Sequence, residues 1–264
     1  MKKITFIGCG NMSSAIIRGM LQAGFAPERI SATARSEESL AAISAMGIEA
    51  LSDNQTACDQ ADVVVVGVKP QMVGNVFGEI QLKNQMLISL CAGLPIAYFE
   101  RLCGARSVVR SMPNTPVLVG KGATGLFANA QTSETEKQLA SEIFSAGGLA
   151  QWTESEAQID AVTAASGSGV AYMFAMIEHM MSGAQKLGMD PESAKALIAQ
   201  TMAGAAEMAL TSPDSPGRLR EKVTSKGGTT AEALKTFDAL GFESMVHQAM
   251  QAAYRRAGEL AKLD

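Results

Sequence analysis

Glycines and hydroxyl residues clustered at three places give this chain its capacity for chemistry. The first cluster is Gly8-Cys9-Gly10-Asn11-Met12-Ser13, which follows a strand-like run over Lys3–Gly8 and opens a helical pattern from Met12 to about Ala23. The G-x-G-x-x-S spacing is a variant of the dinucleotide fingerprint. Gly8 permits the tight turn. Gly10 lets a pyrophosphate approach backbone N–H groups at the positive helix end. The last position wants a small residue for helix–strand packing, which Ser13 supplies. A strand before and a helix after are the context this motif requires. The next strand pattern, Arg29–Thr33, runs into Ala34-Arg35-Ser36 with no acid before Glu37. An acid there would bind a ribose 2′-hydroxyl. Arg35 can instead pair with a 2′-phosphate, and Ser36 can donate to it. The expected cofactor is NADP(H). If Arg35 is only a solvated turn charge, NAD(H) would serve as well.

Two more loops follow strand patterns. Gly67-Val68-Lys69-Pro70-Gln71 follows Asp62–Val68, and Cys91-Ala92-Gly93 follows Met86–Leu90. Ligands of open α/β sheets bind at such carboxyl ends. Lys69 suits a catalytic acid or a structural turn equally. Arg110-Ser111-Met112-Pro113-Asn114-Thr115-Pro116 ends another strand, Ser107–Met112, in a loop stiffened by two prolines. Further on, Thr163-Ala164-Ala165-Ser166-Gly167-Ser168-Gly169 and Val223-Thr224-Ser225-Lys226-Gly227-Gly228-Thr229-Thr230 interleave hydroxyls with glycines at helix entrances. Such runs make nests for a carboxylate or phosphate. Ordinary capping, with Thr230 as the N-cap of a helix from about Ala231, is the alternative. The two histidines, His179 and His247, sit in helical stretches away from every glycine loop, and no HExxH, GxSxG or Walker run occurs. The chemistry must then need little proton transfer. Reduction of an already protonated imine fits, because its carbon is electrophilic without an enzyme acid.

The elements that position these residues fall into two halves. Strand and helix patterns alternate up to Trp152, with a possible edge strand at Gly122–Asn129 and a helix at Ser133–Ala146 capped by Ser133 and Glu136. This predicts an α/β fold with a doubly wound, Rossmann-type sheet. From about residue 156 the patterns are helical: Ile159–Leu187 broken by its Ser/Gly cluster, Pro191–Leu210 started by Asp190, and Gly241–Leu263. The expected boundary lies near 153–158, giving domains 1–155 and 156–264. The Met- and Ala-rich helices carry more apolar surface than the second domain can hide, which points to burial against another subunit.

Composition excludes other classes. Among 264 residues the net charge is −4, with no basic surplus to neutralise nucleic-acid phosphates. The longest clean apolar run, Val63–Val68, is far short of the ~18 residues a spanning helix needs, and no signal-peptide pattern is present. Cys9, Cys58, Cys91 and Cys103 lack zinc spacing, so no metal is expected, and they read as reduced thiols of a cytoplasmic protein.

Together, Gly8-x-Gly10-Asn11-Met12, Val68-Lys69-Pro70, Arg110-x-Met112-Pro113-Asn114-Thr115-Pro116, Ser166-Gly167-Ser168-Gly169 and Thr224-Ser225-x-Gly227-Gly228-Thr229-Thr230 stand in the same order as in pyrroline-5-carboxylate reductases. The chain resembles that family over essentially its whole length. The resemblance implies NADPH- or NADH-dependent formation of L-proline by a Rossmann domain and a helical domain interleaved with a partner's, in dimers that can assemble to decamers. It implies that Gly10, Asn11 and Met12 hold the pyrophosphate, Arg35 and Ser36 the 2′-phosphate, and Asn54 the adenosine ribose. Val68, Lys69, Pro70, Ala92 and Gly93 would line the nicotinamide end, near Asn114. Ser225, Gly228 and Thr229 would hold the substrate carboxylate. Thr230 would be the catalytic contact to the ring nitrogen, with Ser168 nearby. Three positions depart from the family pattern: Ser13 replaces a more usual Ala or Gly, and Val170 and Lys226 stand where proline is common. Other cyclic imines would suit the same nest. A hydroxyacid dehydrogenase is disfavoured because Lys186 lies too far beyond Gly169 for that family's catalytic lysine. A non-catalytic NADP sensor would leave the second nest unexplained.

Overall fold

The computed structural model describes residues 2–260. The chain runs β1 (Ile4–Ile7), α1 (Asn11–Gln22), β2 (Ile30–Thr33), α2 (Glu37–Ser44), β3 (Glu49–Leu51), α3 (Asn54–Asp59), β4 (Val63–Val66) and α4 (Val73–Glu79). It continues through β5 (Met86–Ser89), α5 (Ile96–Cys103), β6 (Val108–Met112), β7 (Gly122–Ala128), α6 (Glu134–Ser145) and β8 (Gly148–Trp152). Helices follow: α7 (Ala157–Val162), α8 (Gly169–Lys186), α9 (Pro191–Thr211), α10 (Pro216–Lys222), α11 (Thr229–Ala239) and α12 (Phe242–Leu260). A π turn, Thr163–Gly167, joins α7 to α8.

One eight-stranded sheet has the order β3-β2-β1-β4-β5-β6-β7-β8. Strands β1 to β6 are parallel, and the order reverses between β1 and β4. This is the switch point at which doubly wound sheets bind dinucleotides. The all-valine β4 is buried at every position. Val63 and Val65 pack with Ile4, Phe6 and Ile16 on one face, and Val64 and Val66 pack with Ile7, Leu87 and Phe99 on the other. A strand covered on both faces has no polar side to alternate with.

The far end of the sheet differs from expectation. The Gly122–Asn129 segment is not an edge: β7 pairs antiparallel with β6 and parallel with β8. The edge is β8, a Gly/Ala/Gln-containing strand with weak β-propensity of its own. The Ser133–Glu136 capping box is present and α6 starts where it dictates. Ser36 and Asp190 cap α2 and α9 through the N–H groups of Ser39 and Ser193. Gly228, not Thr230, is the N-cap of α11, which starts at Thr229 rather than near Ala231. The predicted last helix is described to Leu260. Its final predicted residues, 261–263, lie outside the described residues.

The chain divides into two compact units, residues 1–170 with 252–264, and residues 171–251. The first contains the sheet and its covering helices. In the second, the buried apolar residues are Ala194 and Ile198, while Phe174, Leu197, Leu210 and Leu240 are exposed.

Candidate functional site

The carboxyl ends of β1 to β4 frame a cleft of about 370 Å³, lined by Gly8, Gly10, Arg35, Asn54 and Val68 among others. Local chemistry explains its shape. Gly8 has φ +87°, and a Cβ there would lie 2.6 Å from Val68 Cγ1, so only glycine lets the β1 turn approach the loop after β4. Its N–H donates to Thr33 Oγ1 at 3.1 Å, and Cys9 N–H donates to the Thr33 carbonyl at 3.1 Å, tying the turn to β2. The face of Gly10 is open, with nothing within 4 Å of a built Cβ. That space lies beside the start of α1, where the N–H groups of Asn11 and Met12 have no intrahelical acceptors. Ser13 is buried and its hydroxyl donates to the Gly8 carbonyl at 2.8 Å. A Cβ at Gly67 would lie 2.1 Å from that hydroxyl. Serine at the third fingerprint position therefore braces the turn instead of merely fitting it. The open glycine face, the unpaired amides and the Arg35 guanidinium in the lining fit a dinucleotide.

Arg35, expected to meet a 2′-phosphate, lines the cleft and is exposed. Ser36 Oγ accepts from Ser39 N–H at 3.2 Å and donates to Ser39 Oγ at 2.8 Å. Ser36 itself is not among the lining residues, whereas Ser39 and Asp53 are. Sequence reasoning missed both; the S-x-x-S spacing from a cap is the only signal that pointed to Ser39. Asp53 caps α3 by accepting from Thr56 N–H at 2.6 Å, and hydrogen bonding from the Thr56 side chain, then from this N–H, holds its carboxyl below the usual range.

The residues expected at the nicotinamide end that lie outside this cleft are Lys69, Pro70, Ala92, Gly93 and Asn114. Lys69 and Ala92 are exposed, Pro70 begins a 3-10 turn, and Gly93 is buried with φ +83°. The loops after β4 and β5 touch, since the Cys91 thiol donates to the Val68 carbonyl at 3.3 Å. Burial pushes that thiol's pKa up to about 12. Asn114 is buried, and its side chain is engaged within the protein. Its Nδ2 donates to Ser166 Oγ at 3.0 Å and to the Ser166 carbonyl at 3.3 Å, and its Oδ1 accepts from Ala123 N–H at 2.8 Å. Ser168 follows the π turn and donates its N–H to the Thr163 carbonyl at 2.8 Å.

In the second unit, Ser225, Gly228, Thr229 and Thr230 come together in one turn. Gly227 has φ +71°, and Gly228 N–H donates to the Ser225 carbonyl at 3.0 Å. A Cβ on Gly228 would lie 2.3 Å from Ser225 Oγ, so glycine is required there. Thr229 and Thr230 occupy the first two positions of α11, where N–H groups lack intrahelical acceptors. Thr230 is half-buried, and Ser225 and Thr229 are exposed. Among the described residues, no group of three or more His, Cys, Asp or Glu could hold a metal ion, and no helix is long and apolar enough to cross a membrane.

Residues 156–260 match the family model described as pyrroline-5-carboxylate reductase dimerisation, and residues 3–93 match that of NADP oxidoreductase, coenzyme F420-dependent. A pyrroline-5-carboxylate reductase from Pseudomonas aeruginosa is 45% identical over 265 residues, covering 98% of this chain and 97% of the relative. The structure of a pyrroline-5-carboxylate reductase from Coxiella burnetii superposes with a TM-score of 0.93 at 40% identity, covering 98% of both chains. That of Plasmodium falciparum pyrroline carboxylate reductase with NADP bound gives 0.89 at 31% identity, again over 98% of both. With a nucleotide cleft at the sheet switch point and relatives of this similarity over the full length, the chain belongs to the pyrroline-5-carboxylate reductase family.

Proposed function

We propose that this protein reduces 1-pyrroline-5-carboxylate to L-proline with NADPH. The observation that carries the reading is the Ser225–Thr230 turn, which gathers hydroxyls and unpaired amides at a helix start, in a chain that also has an intact dinucleotide cleft. An anion placed there meets N–H donors and the positive end of α11. Ser225, Gly228 and Thr229 hold the substrate carboxylate. Thr230 is the catalytic contact, orienting the ring nitrogen, and Ser168 is assigned to substrate binding. Gly8 shapes the turn, and the amides of Gly10, Asn11 and Met12 hold the pyrophosphate. Arg35 and Ser36 bind the 2′-phosphate, and Asn54 binds the adenosine ribose. Val68, Lys69, Pro70, Ala92 and Gly93 border the nicotinamide end, and Asn114 is assigned to the same end.

Bound NADPH supplies a hydride. The substrate arrives as the protonated imine, its imine carbon C2 (C5 of the proline product) accepts the hydride, and the C=N electron pair moves to nitrogen, so proline forms without a further enzyme acid. Positioning supplies the rate. NAD(H) is the second cofactor that the cleft would admit, at lower affinity without its 2′-phosphate partner. The functional boundary falls at 155/156. The helical part associates with a second copy in an interleaved dimer, which can assemble further to a decamer, and the enzyme works in the cytoplasm.

The test mixes purified protein with NADPH and 1-pyrroline-5-carboxylate and follows reduced nicotinamide and proline together. Equal amounts of NADPH consumed and proline formed are expected. NADPH binding without turnover would overturn the reading. Thr230→Ala should lower kcat while NADPH affinity holds.

A further inference from the structure

Arg110 is 4% exposed, although it carries a charge and is assigned no ligand. Its two terminal nitrogens diverge. Nη2 donates to Asp160 at 2.7 Å and Nη1 to Glu156 at 3.3 Å. Glu156 stands at the N-terminus of α7 and Asp160 lies within it, so Arg110 on β6 fixes that helix to the sheet. The same Oε1 of Glu156 accepts from Ile96 N–H at 2.7 Å. Ile96 begins α5, directly after the Cys91–Pro95 loop that holds Ala92 and Gly93. One guanidinium thereby joins two loops. On one side is the loop after β5. On the other is α7, which leads straight into the π turn and Ser168.

The π turn is anchored again at its far end. Asn114, four residues beyond Arg110, binds Ser166 by two hydrogen bonds, and Ser166 Oγ donates to the Ala123 carbonyl at 3.2 Å. Gly167 lies so close to Met112 that a Cβ would come 2.6 Å from its Cε. A π turn costs hydrogen-bond geometry and persists where the surroundings over-determine it. Here residues 110–114, at the end of β6 and just beyond it, supply the determinants.

We infer that Arg110 is a positioning residue, which holds the nicotinamide-side loop 91–95 and the substrate-side turn 163–168 in one frame through Glu156 and Asp160. The inference rests on the proposed reductase reading for what those two segments bind, and on the first unit alone for the geometry. Arginine is required because one planar fork reaches two carboxylates, which a lysine point charge does not. Arg35, Ser36 and Asn54, assigned to the adenosine end, follow β2 and β3, at the opposite end of the strand order from β6.

The experiment compares Arg110→Met, Arg110→Lys, Asp160→Asn and Glu156→Gln in the full-length protein. A misplacement on the order of 1 Å costs roughly 100-fold in rate. Arg110→Met is expected to lose roughly that in kcat, with the NADPH Kd changed by less than about threefold. Arg110→Lys and the two carboxamide variants should fall between it and the wild type. Hydrogen exchange of the 163–168 amides and of Ile96 should quicken at least about tenfold, while residues 8–13 keep their protection. If Arg110→Met does not fold, Asp160→Asn carries the same comparison. Unaltered exchange, kcat within threefold of wild type, or a parallel loss of NADPH affinity would overturn the inference. A wild-type protein that reduces no pyrroline-5-carboxylate would defeat the reductase reading instead, and the exchange data would still decide whether Arg110 sets the frame.

Discussion

The two compact units bury their apolar residues in opposite ways. In the first, β1, β4 and β5 are buried at every position, and the two faces of the sheet close under α1, α3, α4, α5 and α6 without help from another chain. In the second, long helices leave large side chains in solvent: Phe174 on α8 is 65% exposed and Leu210 on α9 74%. Helices α10 and α11 bury no residue at all. The first unit is a self-sufficient core. The second carries contiguous helices whose apolar faces are completed only by association, which agrees with the dimerisation family model matched over residues 156–260. The proposed chemistry divides along the same line: the nucleotide cleft is built within the first unit, and the hydroxyl–glycine turn stands in the unit whose helices associate.

The sharpest way to break this comparison is a cavity in the sheet. Phe6 is fully buried on β1, and Phe6→Ala should cost about 3–5 kcal/mol, the same loss at low and high protein concentration. A concentration-dependent loss would mean that the first unit also leans on a partner. The complementary change is Leu197→Glu on the exposed face of α9. Placing a charge in an apolar interface should weaken self-association by about 100-fold, or ~2.7 kcal/mol, in sedimentation velocity, while NADPH still binds. An unchanged oligomer would show that α9 is not at the interface.

A smaller effect sharpens the picture of the first core at high pH. Burial pushes the thiols of Cys58 and Cys91 from 9.0 up to about 12. In the unfolded chain they ionise near 9.0, so between the two values only the unfolded state gains by losing protons. Their contribution to stability is complete below pH 9 and falls as pH rises toward 12. Urea midpoints at pH 7.5 and pH 10 should differ in this direction, and Cys58→Ala with Cys91→Ala should flatten the slope. A slope unchanged in the double variant would assign it to other groups.

Much of the first unit was legible because its signals are local. Val63–Val66, the Gly8–Ser13 turn and the Ser133–Glu136 capping box each declare themselves within a few residues. The short β3 and β8 were not legible, since three to five residues without β-branched enrichment carry little pattern, and β8 made an inner strand of β7. Thr230 was misread as a possible cap because Gly228 takes that position with an extended backbone, a choice that no hydroxyl pattern reveals. Arg110 was visible only as part of a loop motif. Its partners lie 46 and 50 residues away, and only the fold brings them together.

The central claim is hydride transfer to the imine carbon. It is tested most directly by supplying NADPH carrying two deuterons at C4 with unlabelled 1-pyrroline-5-carboxylate, and reading the product by mass spectrometry. The account predicts proline bearing one deuteron at C5. Proline without deuterium, or no proline while NADPH stays bound, would contradict it.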